Sequence, residues 1–190
     1  MIILASQSPR RAELLAQVGL RFRVAPASID EAQLPGEDAA DYVERIATAK
    51  AQAVHQRFPN DTVLGSDTAV VLDRTVLGKP TDRADGMRML LALAGRTHQV
   101  LTGVAVLAAG RTHYRLSNSR VRLRDIGPEE AAAYWATGEP ADKAGGYAVQ
   151  GLAAAFIERI EGSYSGIMGL PLFETVQILE TVGVHKQWGV

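Results

Sequence analysis

Thr62-Val63-Leu64-Gly65-Ser66-Asp67-Thr68, with Gly78-Lys79-Pro80 just behind it, is the stretch on which the fold turns. Thr62 to Leu64 are uncharged and read as a buried strand. The run is expected to break at Gly65 and to deliver an acid, Asp67, and a hydroxyl, Thr68, at the strand's end. In open α/β sheets ligands bind outside the carboxyl ends of strands, so an acid there is placed for chemistry. Gly65 removes a side chain where another backbone or a ligand comes close. A second β-like pair, Ala69-Val70-Val71-Leu72 and Thr75-Val76-Leu77, follows around the turn Asp73-Arg74. Lys79 then sits in a Gly-Lys-Pro turn whose proline fixes φ. An acid and a lysine are thus presented close together. The segment alone is also readable as a capping Asp and a solvated loop Lys.

Upstream, Ile2-Ile3-Leu4-Ala5 reads as a first buried strand. Ser8 suits an N-cap and Pro9 the first helical position, so a helix is expected from here to Gly19. Arg10 and Arg11 in its first turn run against the helix dipole. A bound anion removes that conflict, because helix N-terminal N–H groups and arginines both suit phosphate. Phe22 to Ala25 is a short strand, and Ser28-Ile29-Asp30-Glu31 a polar loop with two adjacent acids. Ala39 to about Arg57 is a long helix in which Val43, Ile46, Ala47, Lys50, Ala51 and Val54 share one face. Lys50 on that stripe either snorkels from the core edge or points into a site.

Downstream, Arg83 to Ala94 is a helix with Met87, Leu90, Leu91 and Ala94 expected inward. Val100 to Leu107 and Arg111 to Leu123 form a hairpin around Ala108-Ala109-Gly110. Arg111, Arg115, Arg120, Arg122 and Arg124 alternate along the second strand, which favours a solvated face over a nucleic-acid surface. Pro128 to Thr137 is a helix. Asp142 to Gly151 is a Gly-rich loop holding Asp142, Lys143 and Gln150, and Ala155-Phe156-Ile157 resembles a strand. Gly162-Ser163-Tyr164-Ser165-Gly166 fails as a nucleophile elbow, because Tyr164 stands where the serine is needed. Pro171 to Val182 is the last helix.

Composition narrows the function classes. The 190 residues fit one domain spanning 1–190, and 47% hydrophobic content supports a substantial core. A formal net charge of −1 gives no global pull toward nucleic acid or membrane. Cysteine is absent, which excludes disulfides, thiolate metal sites and a Cys nucleophile. No signal-like segment and no membrane span stand out, so a cytoplasmic protein is the default expectation. His55, His98, His113 and His185 lack metal-ligand spacing and read as surface or strand residues. No Walker A motif is present, since Asp73 stands five residues before Gly78. What remains is a set of loops at strand ends rich in arginine, lysine and carboxylate, with Lys50 on a helix. Such a set suits a polyphosphate with a divalent metal, which points to a phosphate-ester or nucleotide hydrolase.

These pieces together resemble the Maf (septum-formation inhibitor) nucleotide pyrophosphatases. The resemblance rests on Ser6-x-Ser8-Pro9-Arg10-Arg11-x-x-Leu14-Leu15, Asp30-Glu31, Glu44-Arg45-Ile46-Ala47 with Lys50-Ala51, Gly65-Ser66-Asp67-Thr68 and Gly78-Lys79-Pro80. Thr102-Gly103-Val104, Asp142-Lys143-Ala144-Gly145-x-Tyr147-x-x-Gln150-Gly151 and Gly169-Leu170-Pro171 extend it along nearly the whole chain. The resemblance implies a mixed α/β fold with flanking helices and two lobes around a cleft, similar to the inosine-triphosphate pyrophosphatases. It implies hydrolysis of a nucleoside triphosphate to monophosphate and diphosphate with a divalent cation, Mg or Mn. The segment ending in Gln150-Gly151 resembles the branch acting on dTTP and UTP. By position, Asp67 matches the proton acceptor, and Arg10, Thr68 and Gln150 match the positions tied to pyrimidine preference. Ser8, Arg11, Glu31, Lys50 and Lys79 match the phosphate and metal set, with Lys50 and Lys79 assisting the chemistry and Glu31 with Asp67 holding the metal. A homodimer is compatible with such a domain. Two rival classes stand beside the enzyme: a non-catalytic nucleotide sensor regulating cell division, and a nucleic-acid binder using the Arg-rich strand, which net charge and the lack of interleaved aromatics disfavour.

Overall fold

In the computed structural model, which describes residues 1–186, the chain is mixed α/β as expected. The elements in chain order are β1 (Ile2–Leu4), α1 (Pro9–Gln17), β2 (Phe22–Val24), α2 (Ala39–His55), β3 (Thr62–Leu72), β4 (Thr75–Leu77) and α3 (Arg83–Leu93). There follow β5 (Thr97–Ala108), β6 (Arg111–Leu123), α4 (Pro128–Ala136), β7 (Ile157–Glu161), α5 (Tyr164–Met168) and α6 (Leu172–Thr181). The seven strands form one sheet in the order β2-β1-β3-β5-β6-β7, with β4 paired to β3. β1 runs parallel to β2 and β3, and the remaining pairs are antiparallel.

β3 is the spine. It does not break at Gly65 but runs on through Asp67 and Thr68 to Leu72. The reason is pairing: β5 lies antiparallel beside it from Val63 to Val71, so every residue of the stretch has a ladder partner, Asp67 opposite Gly103 and Thr68 opposite Thr102. Asp67 and Thr68 are therefore mid-strand residues and not residues of a loop at a strand end. The two sheet faces divide by the period-2 alternation of a strand. Val63, Ala69 and Val71 pack toward α2, while Leu64 and Val70 join the clusters built with α1 and α6 and with α3.

Both hairpin turns carry two residues with positive φ: Asp73 (47°) and Arg74 (70°), then Ala109 (49°) and Gly110 (73°). Positive φ at both central positions is the turn geometry whose twist matches that of two paired strands. The Arg-rich strand β6 turns its charges to solvent, where Arg122 pairs with Glu158. Two expectations are corrected. Residues Leu152–Phe156 form a 3-10 turn, and the strand begins only at Ile157, because two consecutive amides, those of Leu152 and Ala153, are taken by the Glu139 carboxylate. In α3 the buried residues are Gly86, Met89, Leu90 and Leu93, so the inward face is rotated from the one expected; Gly86 lies against the Trp135 ring of α4, which sets that face.

α2 carries the stripe read from the sequence, with Val43, Ile46, Ala47, Lys50, Ala51 and Val54 all buried. It settles directly onto strand backbone at two glycines. A methyl group at Gly65 would collide with the Ala47 carbonyl oxygen and lie 2.8 Å from the Ala51 amide nitrogen. One at Gly103 would lie 2.8 Å from the Val43 carbonyl oxygen. These contacts are helix backbone and cannot swing aside, so α2 must lift for any side chain to fit. Gly65→Ala is therefore expected to lower stability by about 3 kcal/mol, the upper end of ordinary overpacking effects. Urea unfolding checks this; a loss under about 1 kcal/mol would show that α2 rises freely from the sheet.

Candidate active site

One edge of β3 is occupied in two pieces. β1 covers Thr62 to Leu64 and β4 covers Val70 to Leu72, while β5 takes the other edge from Val63 to Val71. Residues 65–69 lie in the interval where β1 has ended and β4 has not begun. The chain leaving β1 enters α1 here, and Gly78 follows β4, so these two strand connections border the same opening. The opening is a cleft of ≈ 700 Å³.

On its floor, helix and strand meet through charge. Lys50 Nζ donates to Asp67 Oδ1 at 2.9 Å and to Glu31 Oε2 at 2.7 Å. Asp67 is only 6% exposed and Lys50 7%, whereas the Glu31 side chain is half exposed. Lys50 thus points into the site and does not snorkel outward. Burial raises the Asp67 carboxyl above its ordinary range, against the opposing pull of Lys50 and then Arg11. Burial, followed by the negative charges of Asp67 and Glu31, pushes the Tyr42 phenol up to about 12.

The α1 side of the cleft is built on Arg11. Its guanidinium donates Nε to the Gly169 carbonyl at 2.7 Å, Nη1 to Ser6 Oγ at 3.3 Å and Nη2 to Thr68 Oγ1 at 3.3 Å. Enclosure there lowers its pKa, against the Asp67 and Glu31 charges. Ser8 is the N-cap residue of α1, as expected, but its hydroxyl makes no capping bond; its amide instead donates to Ser6 Oγ at 3.1 Å. Thr68 is fixed from the other side by Thr102 Oγ1 at 3.0 Å. Arg10 reaches across to Asp142 at 3.7 Å. Asp142 also pairs with Lys143.

Every residue that the sequence singled out for the site lines this cleft: Ser8, Arg10, Arg11, Glu31, Lys50, Asp67, Thr68, Lys79 and Gln150. Lys79 and Gln150 are exposed residues of its lining. The Gly145 amide donates to the Gly78 carbonyl at 2.9 Å, so the loops carrying these two residues are joined. Asp30, the neighbour of Glu31, stays outside the cleft and accepts from the Ala32 amide. Sequence reasoning missed Tyr42 and Tyr147, both in the wall. Tyr42 had one available signal, an aromatic ring on α2 off the buried stripe. Tyr147 is held by buried His98, whose Nε2 lies 2.7 Å from the Tyr147 hydroxyl. Burial drops the His98 pKa to about 4, so this ring is neutral near pH 7.

The Maf-like protein family matches residues 1–182 of this chain. A dTTP/UTP pyrophosphatase of Hahella chejuensis is 50% identical over 190 residues, covering 98% of this chain and 94% of the relative. A dTTP/UTP pyrophosphatase of Nitrosomonas europaea is 52% identical over 196 residues, covering 96% and 95%. One of Aromatoleum aromaticum is 50% identical over the same coverage. Among solved structures, a Vibrio cholerae protein shares 12% identity and a TM-score of 0.37 over 67% of this chain and 64% of its own, too distant to bear on fold or chemistry. Matched by the family over residues 1–182, and half identical to these relatives along nearly its whole length, this chain belongs to the Maf-like protein family.

Proposed function

We propose that this chain is a nucleoside triphosphate pyrophosphatase that hydrolyses dTTP and UTP to the monophosphate and diphosphate. The observation that carries the reading is the junction of Lys50 with both Glu31 and Asp67 on the floor of a cleft bordered by Arg10, Arg11 and Lys79. A nearly buried carboxylate among cations suits a base acting on an anionic substrate. The cleft volume lies within the range of small-molecule sites. The relatives' names supply the substrate class.

In this reading water attacks the α-phosphorus. Asp67 accepts its proton, and the bond to the bridging oxygen breaks with its electron pair leaving on diphosphate. Lys50 holds Asp67 in place, and Lys79 with Arg10 neutralises the triphosphate as charge builds on the leaving group. Arg11, with three donors already committed, orients Thr68 and the start of α1 and adds positive potential. Ser8 and the first amides of α1 face the phosphates.

The donor set also suits a divalent cation. Glu31 and Asp67 share one partner nitrogen, so their oxygens converge, yet among the described residues no group of three His, Cys, Asp or Glu is placed to hold a metal. Two carboxylates completed by substrate phosphates are what Mg²⁺ ordinarily uses. Glu31 and Asp67 would hold it, and it would neutralise phosphate oxygens and the departing diphosphate.

Three outcomes test the reading. Asp67→Asn should lower kcat by about 10²–10⁴-fold, the range of a general base, with dTTP binding retained. Near-wild-type turnover would remove Asp67 from its role. Diphosphate release from dTTP should stop in EDTA and return with Mg²⁺ or Mn²⁺; full activity after exhaustive chelation would mean that the chain's own cations suffice. Gln150 should read the base. Thymine and uracil present an N3–H donor beside an O4 acceptor, which one amide meets with its C=O and NH₂ together. Cytosine inverts both groups. Sites that leave polar groups unpaired discriminate by up to ~10⁴-fold, so Gln150→Ala should collapse the dTTP/CTP ratio of kcat/KM. An unchanged ratio would transfer that role to Arg10 or Thr68.

A further inference from the structure

The carboxylate of Glu31 comes from an unusual place. Residues 25–38, between β2 and α2, hold no helix or strand. From Asp30 to Asp38 all but Glu37 are exposed, Leu34 at 54%, so apolar burial contributes little to the placement of that stretch. A segment of this length without regular structure is uncommon unless it serves a site, and it needs polar ties to stay in one conformation. The ties that reach residues 31–37 from outside the segment come from α2. Arg45 of α2 donates Nε to Glu37 Oε1 at 2.5 Å and Nη2 to Glu37 Oε2 at 2.7 Å, a two-pronged contact. The same Nη2 reaches the Ala32 carbonyl at 3.0 Å. Glu37 Oε2 also accepts from the Leu34 amide at 3.0 Å, and the Glu37 carbonyl accepts from Gln33 Nε2 at 2.9 Å. Tyr42, one turn before Arg45, donates its hydroxyl to the Glu31 carbonyl at 3.0 Å. The main chain is therefore gripped at two successive carbonyls, those of Glu31 and Ala32. Neither Arg45 nor Glu37 lines the cleft.

We propose that Arg45 and Glu37 are a positioning pair that fixes Glu31 against Lys50, setting the site from outside it. The role rests on the place given to Glu31 in the proposed hydrolysis. α2 supplies Lys50 and the anchors of the segment that carries Lys50's partner, so one rigid helix sets both ends of the Lys50–Glu31 contact. The guanidinium is needed for its planar fork, which meets both carboxylate oxygens and a carbonyl at once; a lysine ammonium has no such geometry. Arg45 pairing holds the Glu37 carboxyl down to about 2, so the contact persists through the whole neutral and mildly acid range.

The test combines Arg45→Lys, Glu37→Gln and Glu31→Gln with amide hydrogen exchange. Arg45→Lys and Glu37→Gln are each expected to lower kcat/KM for dTTP by roughly 10- to 100-fold, the usual effect of losing an outer-sphere partner. Amides of residues 31–37 should lose protection while those of β3 and β5 keep theirs. The loss caused by Glu31→Gln should shrink several-fold in the Arg45→Lys background, because both changes act on one element. Full multiplication of the two losses, or unchanged protection in the segment, would overturn the positioning role. If Glu31→Gln alone keeps wild-type turnover, Glu31 itself leaves the chemistry and the pair's part in it goes too, a result distinct from failure of the pair alone.

Discussion

A carboxylate placed in the middle of a hydrophobic strand is the constraint around which the molecule is arranged. Asp67 is flanked in β3 by Leu64, Ala69 and Val70 and is almost wholly buried. An uncompensated buried charge is expensive, so a cation must reach it. Lys50 does so from a helix stripe that is otherwise apolar, and it can only because α2 rests on strand backbone. Gly65, two residues before Asp67 on the same face, and Gly103, paired opposite Asp67, are the positions where a side chain would hold the helix off. The charge, the two glycines and the lysine are one device distributed over three elements.

The opposite face of β3 has its own polar seam. Ser66 donates to the Gly169 carbonyl at 3.0 Å, and Arg11 donates to that same oxygen. Thr102 Oγ1 lies 2.7 Å from the Gly166 carbonyl and bridges to Thr68. The end of α5, the start of α1 and the centre of β3 are thereby tied through side chains, where the cluster built on Leu64, Leu15 and Ile178 gives way to the one built on Val70, Leu90 and Leu123. Two apolar clusters meeting at a sheet leave a region between them that neither fills, and the cleft opens in that region. The gap between β1 and β4 along β3 is its backbone counterpart, leaving residues 65–69 without a partner strand on one edge.

Much of this was legible in the chain itself. The helical stripe of α2, the Asp73-Arg74 and Ala109-Gly110 turns, and the placing of Ser8, Lys79 and Gln150 around Asp67 follow from local periodicity, turn chemistry and family motifs. What escaped reading depends on partners far along the chain. Gly65 looks like a break to any local rule, and only β5, some forty residues on, turns it into an interior strand position. The shift of the last strand to Ile157 depends on Glu139 capturing two amides of the preceding turn. Tyr42, Arg45 and Glu37 look like ordinary surface residues of a helix and its approach; their grip on residues 31–37 exists only once that segment folds back over α2. His98 reads as a strand residue, which it is, but its bond to Tyr147 spans two elements.

The balance at Asp67 also shows what the site takes from the fold. Burial raises its pKa more than Lys50 and Arg11 lower it. With the folded value above the unfolded one, the native state binds more protons in the interval between them, and stability falls as pH rises through it. The contribution from a neutral Asp67 is complete below the unfolded value, about 3.9, and is gone once pH has passed the folded one. Above the folded value the native chain carries an ionised group it would hold more easily as an acid. Glu37 shows the opposite sign: its carboxyl is lowered, and its stabilising pairing with Arg45 is fully present above the unfolded value. One helix thus bears, at Lys50, a partner that only partly offsets a burdened carboxylate and, five residues earlier, a partner for one that strengthens the structure. The stabilising pair lies outside the cleft and the destabilised carboxylate inside it, which is the distribution expected when a fold supports a reactive group that it does not itself need.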